Sequence, residues 1–143
     1  MDYSDKDEHL IALLRENARL SVSEIARQLS VSRTAAQMRL AKLERNGVIE
    51  GYSVRLSTSF LKERVRALVM IKSPPGNRGK IENALSEIAQ LTKLYSISGV
   101  FDLAAVISAT SVENLDAAID EIGHLDGVDD TISSVILSTK IDR

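Results

Sequence analysis

Three observations predict an α+β fold divided into two domains. Helical periodicity with serine caps fills the first 46 residues, strand-like and helix-like runs alternate from residue 66 onward, and the charge changes sign between the halves. Residues 1–64 hold eleven Lys and Arg against nine Asp and Glu, and the remainder holds seven against eleven, so a net charge of -2 conceals a basic first half. The domains expected are 1–54 and 66–143, joined by a linker over 55–65.

At 143 residues two small domains fit, each with little apolar surface to bury alone, so partner chains are expected. No apolar run approaches the roughly 20 residues of a membrane span, and the acidic start Met-Asp-Tyr-Ser-Asp is the opposite of a signal peptide's. A cytoplasmic location without membrane contact follows as the expectation. The absence of cysteine excludes disulfides, thiolate nucleophiles and Cys-type zinc sites, and His9 and His124 are too few and too far apart for a histidine cluster. Neither metal nor cofactor is expected.

The first helix opens at Ser4, with Asp7 three residues on as in a capping box, and carries Leu10, Ile11, Leu13 and Leu14 inward. Ser21-Val22-Ser23-Glu24 is a full capping box for a short second helix that buries Ile25, Ala26 and Leu29. Only Ser30 and Val31 separate it from Ser32, the cap of a third helix running to about Asn46, where Gly47 can turn left-handed. Two capped helices across so tight a turn describe a helix-turn-helix, and the β-prone run 48–54 reads as a wing or exit strand.

At 100° per residue Ala36, Leu40 and Leu43 face inward on the third helix, while Thr34, Gln37, Met38, Ala41 and Arg45 face outward. Between Arg27 and Arg45 five basic residues meet one acid, Glu44. Small and polar side chains near a helix start suit base edges, and flanking cations neutralise phosphates, so Arg33, Thr34, Gln37, Met38, Lys42 and Arg45 are the candidate contacts with double-stranded DNA. A charge run alone more often marks a solvated helix; the tight capped turn is what favours DNA. Arg39 sits at the margin of the inner face, where bonding Asp7 or Glu44 and reaching a phosphate are both open.

The run Arg19-x-Ser21-x-x-Glu24-Ile25-Ala26, then Val31-Ser32, Arg39-Leu40, Leu43-Glu44 and Gly47-x-Ile49-x-Gly51-Tyr52, resembles the leucine-responsive/asparagine-regulator (Lrp/AsnC) family of transcriptional regulators. Two residues depart from that pattern. Ser30 stands where the family usually has glycine, implying a left-handed serine at about 1 kcal/mol or a different turn. Ser4 stands where aspartate is commoner, which capping tolerates.

In the second half, residues 66–72 form a strand ended by Ser73-Pro74-Pro75-Gly76, and a helix follows from Asn77 with Ile81, Leu85, Ile88, Ala89 and Leu91 on its apolar face. Strands at 93–98 and 100–108, a helix at 112–123 and a strand at 130–139 complete the order β-α-β-β-α-β, the ferredoxin-like arrangement. Residues 67–71, 103–107 and 135–137 are apolar on both faces although helices coat only one. A second copy of the chain is the economical cover for the other face.

Ser98-Gly99-Val100-Phe101-Asp102 and Gly127-Val128-x-x-Thr131 are similar to segments of the same family's effector domain. The resemblance implies homodimers that assemble into tetramers or octamers and an effector, usually an amino acid, bound between dimers near the 99–102 turn. It implies Ser98, Gly99, Asp102, Asp126, Gly127 and Thr131 as effector-binding residues. Asp102 holds an ammonium group on that view, with an Asx turn as the equal alternative. His124 is expected to meet helix-end carbonyls, and His9 to lie on the surface.

Nothing nominates a catalytic group. Gly76-Asn77-Arg78-Gly79-Lys80 fails as a phosphate loop, because Pro74 stands where its first glycine belongs and Ile81 where Ser or Thr belongs. A metabolite-responsive DNA-binding regulator, not an enzyme, is the leading reading. Behind it stand an architectural DNA-binding protein and, since some relatives of this two-domain fold are thought to decarboxylate sirohaem, an enzyme.

Overall fold

The computed structural model describes residues 3–142, and the chain divides into two compact units with the boundary between Arg55 and Leu56. In the first, helices α1 (Asp5–Glu16), α2 (Val22–Leu29) and α3 (Arg33–Arg45) pack around buried Leu10, Leu14, Ile25, Ala26, Leu29, Ala36 and Leu43. Each start is fixed by its serine. Ser4 and Asp7 bond reciprocally, the Ser4 amide donating to Oδ2 at 3.1 Å and the Asp7 amide to Oγ at 3.3 Å; Ser21 and Glu24 repeat the pattern at 2.9 and 3.1 Å. Ser32 Oγ accepts from the Ala35 amide at 3.1 Å. These bonds satisfy amides that have no partner inside their own helix.

The corner between α2 and α3 is a left-handed serine: Ser30 adopts φ 54° and ψ 45°, and the following Val31 amide closes on the Ala26 carbonyl at 3.0 Å. Glycine occupies this region without the Cβ clash. Ser30→Gly is therefore expected to stabilise the protein by about 1 kcal/mol, read as a higher urea midpoint at unchanged slope. A lower midpoint would show that the serine carries no strain.

The run 48–54 forms no strand, correcting the expected wing. After left-handed Gly47 (φ 72°) the Val48 and Ile49 amides both donate to the Leu43 carbonyl, at 2.9 and 3.1 Å, so these residues finish α3. Ile49 packs on the core, and the described residues of this unit contain no strand to pair with the remainder. β-propensity without a ladder partner does not make a strand.

The second unit begins with one helical turn, α4 (Thr58–Leu61), within the stretch expected as linker. Strands β1 (Val65–Lys72), β2 (Leu91–Ser96), β3 (Leu103–Ala109) and β4 (Asp130–Ile136) form an antiparallel sheet in the order β2-β3-β1-β4. Helix α5 (Arg78–Ser86), entered through a 3-10 turn at Pro75–Asn77, and helix α6 (Val112–Gly123) provide the crossovers. Both pack on one face, where Ala67, Val69, Ile71, Leu103, Ala105 and Ile107 meet Ile81, Leu85, Leu115, Ala118 and Ile122. Alternation places Leu68, Met70, Val106, Ile132 and Ile136 on the opposite face, away from the side that packs against α5 and α6.

The strand ends differ from expectation by up to three residues. The Ile97 amide donates to the Asp102 carbonyl at 2.9 Å, which closes residues 97–102 into a loop instead of extending either strand.

Candidate nucleic-acid interface and effector region

The inner face of α3 buries Ala36 and Leu43 against α1 and α2. Its other side is open: Arg33, Thr34, Gln37, Met38, Lys42 and Arg45 are all exposed, Met38 at 68%. Arg33 stands at the start of the helix, and Lys42 and Arg45 lie in its last turn, where cations also suit the negative end of the helix dipole. The Lys42 ammonium lies 5.9 Å from the centre of the Tyr3 ring, a cation–π contact that restrains its stem. Sequence reasoning missed this contact because Tyr3, ahead of α1, and Lys42, in α3, are distant in sequence.

Arg39 turns away from that surface. Its guanidinium bonds Asp7 Oδ1 at 3.0 Å and Ser4 Oγ at 2.9 Å, tying α3 to the cap of α1, and Asp7 is only 2% exposed. Burial by itself pushes the Asp7 carboxyl up, but the bonds from Ser4 and then Arg39 outweigh it and hold the group below its usual range. Between the two readings open in the sequence, the geometry selects the structural one.

In the second unit the 99–102 turn and the segment 126–131, a loop that runs into the start of β4, flank the end of β1. The Asp102 amide donates to the Ile71 carbonyl and the Asp129 amide to the Lys72 carbonyl, at 2.9 and 2.8 Å. Ser98, Gly99 and Asp126 are exposed, while Gly127 and Thr131 are half-buried. Gly127 has φ 94°, a left-handed backbone that glycine adopts freely, and a Cβ there would stand 3.1 Å from Ile81 Cδ1, so backbone and space both favour glycine. Asp126 pairs with Lys80 at 3.0 Å in solvent.

Asp102 already has partners. Its Oδ2 accepts from the Ser73 amide at 2.9 Å and its Oδ1 from the Arg78 guanidinium at 3.2 Å. The carboxylate offered to an ammonium group thus holds the turn against the start of α5. Ser73 and Arg78 were not legible as part of this region, since both are distant in sequence from Asp102. Ser73 Oγ and Arg78 Nε are buried without a hydrogen-bond partner among the described residues, which leaves donor capacity beside the turn. His124 Nδ1 lies 2.7 Å from the Asp120 carbonyl, a helix-end contact.

A capped helix-turn-helix with an exposed basic second helix, followed by a ferredoxin-like unit, defines a two-domain DNA-binding regulator. Residues 4–44 match the AsnC-type helix-turn-helix domain, and residues 66–143 match the Lrp/AsnC ligand binding domain. The transcriptional regulator LysM of Saccharolobus solfataricus is 30% identical over 94% of both chains, and the regulator LrpA of Pyrococcus horikoshii is 31% identical over 93% of this chain and 95% of its own. Escherichia coli AsnC superposes with a TM-score of 0.90 at 22% identity, covering 100% of this chain and 97% of its own. A Neisseria meningitidis regulator solved with L-methionine superposes with a TM-score of 0.88 at 19% identity, covering 99% and 94%. At those two identities the likeness is one of fold. The chain belongs to the Lrp/AsnC family of helix-turn-helix transcriptional regulators. Its relatives are named as regulators, so the sirohaem-decarboxylase reading is set aside. Among the described residues no helix is long and apolar enough to cross a membrane.

Proposed function

We propose that the protein is a sequence-specific regulator, acting on the nucleoid in the cytoplasm, in which an amino acid or related metabolite bound near the 99–102 turn modulates an assembly of homodimers. The observation that carries this reading is the pairing of two unlike features on one chain. One is the exposed basic face of α3 with Glu44 as its only acid; the other is the end of β1, where the Ser73 hydroxyl and Arg78 Nε–H lack acceptors. A ligand carboxylate is the kind of acceptor such donors take. The L-methionine complex of the Neisseria relative supports an amino acid as the ligand class. The apolar outer face of the sheet, with Leu68 at 37% and Ile132 at 52% exposed, supports a second copy as its cover.

The test is fluorescence anisotropy on DNA from upstream of the protein's own gene and on scrambled DNA, across salt, with an amino-acid panel. Preference for the upstream fragment, shifted by one amino acid, is expected. Equal, ligand-blind binding points to an architectural protein instead. Within this assay Thr34→Ala or Gln37→Ala should cost about 1–3 kcal/mol on the preferred DNA and little on scrambled DNA, whereas Lys42→Ala should weaken both alike. Equal losses on both DNAs for Gln37→Ala would exclude it as a base contact.

A further inference from the structure

Among the large apolar side chains described on α1, α2 and α3, Met38 is the one left exposed, at 68%. It does not belong to the hydrophobic core of its unit. Thr34, Met38 and Ala41 follow one another at i, i+4 and i+7, so the Thr34 methyl, the Met38 thioether and the Ala41 methyl form one apolar row along the exposed side of α3. A merely solvated helix would carry charge there. Gln37 borders the row on one side and Lys42 on the other, both exposed.

The major groove presents one apolar group on its base edges, the thymine C5-methyl, and a Gln amide matches the N6–H donor and N7 acceptor of adenine. The row contains no carboxylate to accept from cytosine N4, and Glu44 lies in the last turn of the helix. We infer that Met38 is a specificity-determining residue that packs on a thymine methyl, with Gln37 beside it on an adenine edge, so that each half-site contains A·T pairs opposite residues 37–38. This rests on the reading of α3 as the base-contacting helix.

The experiment selects preferred duplexes from a random pool with the full-length protein, then replaces each thymine of the enriched half-site with deoxyuridine, which lacks only the C5-methyl. One or two positions are expected to lose about fourfold in affinity, the effect of burying a single methyl group. Met38→Ala should bind thymine and deoxyuridine equally there, and Met38→Leu should keep much of the difference. Met38 is exposed, so neither change threatens the fold. Enrichment with no deoxyuridine-sensitive position, or a sensitivity that persists in Met38→Ala, overturns the inference alone. A pool that fails to enrich overturns it together with the reading of α3 on which it rests.

Discussion

Leu68→Asp is expected to turn the proposed assembly of homodimers into monomers and to remove most of its affinity for two-half-site DNA. Leu68 lies on β1, opposite Val106 on β3 and Ser134 on β4, and is directed away from both helices. In the monomer it is 37% exposed, so an aspartate there stays hydrated and the sheet survives. In a face-to-face dimer the same carboxylate is buried against an apolar partner. That desolvation costs several kcal/mol, enough to weaken dimerisation roughly 1,000-fold. DNA binding then falls with it, because two helix-turn-helix units held together gain about 100- to 10,000-fold in avidity over separate ones.

Light scattering across a concentration series reads the first effect, and anisotropy on one and two half-sites reads the second. Affinity for a single half-site should change little, since Leu68 and α3 belong to separate units. A Leu68→Asp protein that remains dimeric would show that the outer face of the sheet is not where copies meet.

Arg39→Ala should destabilise the helix-turn-helix unit by about 2–3 kcal/mol. Removing the guanidinium leaves the Asp7 carboxylate, 3% exposed, with Ser4 alone for company. Breaking a fully buried pair costs about 3–5 kcal/mol, and the 31% exposure of Arg39 reduces that figure. Hydrogen exchange of the α1 and α3 amides measures the loss within this unit. Asp7→Asn combined with Arg39→Ala should cost less than the sum of the single changes, because each alone strands the other's partner.

The pH dependence carries a definite sign. Asp7 is held below its usual range in the folded protein, so its contribution is complete above the unfolded value, near pH 4, and is lost as pH falls through the folded value. Wild type should therefore weaken below about pH 4, and the difference between wild type and Arg39→Ala should shrink there as Asp7 is protonated. If Arg39→Ala instead leaves stability intact and weakens binding to every DNA equally, Arg39 contacts phosphate and the pair with Asp7 is incidental.

Local signals in the sequence determined the helix-turn-helix and the order of the ferredoxin-like elements. Ser4, Ser21 and Ser32 start helices because their hydroxyls accept from otherwise unpartnered amides three residues on, and Gly47 ends α3 because it turns left-handed freely. Apolar spacing then told which side of α3 is buried and that both faces of β1 are apolar. Tertiary structure decided what depends on partners distant in sequence. It gave Arg39 to Asp7, engaged Asp102 with Ser73 and Arg78, brought the 99–102 and 126–131 segments to the end of β1, and left 48–54 without a strand. A cap or an apolar stripe is satisfied within one turn of chain, whereas a charge or a strand edge takes whatever partner the fold brings within bonding distance, and spacing alone does not encode that partner.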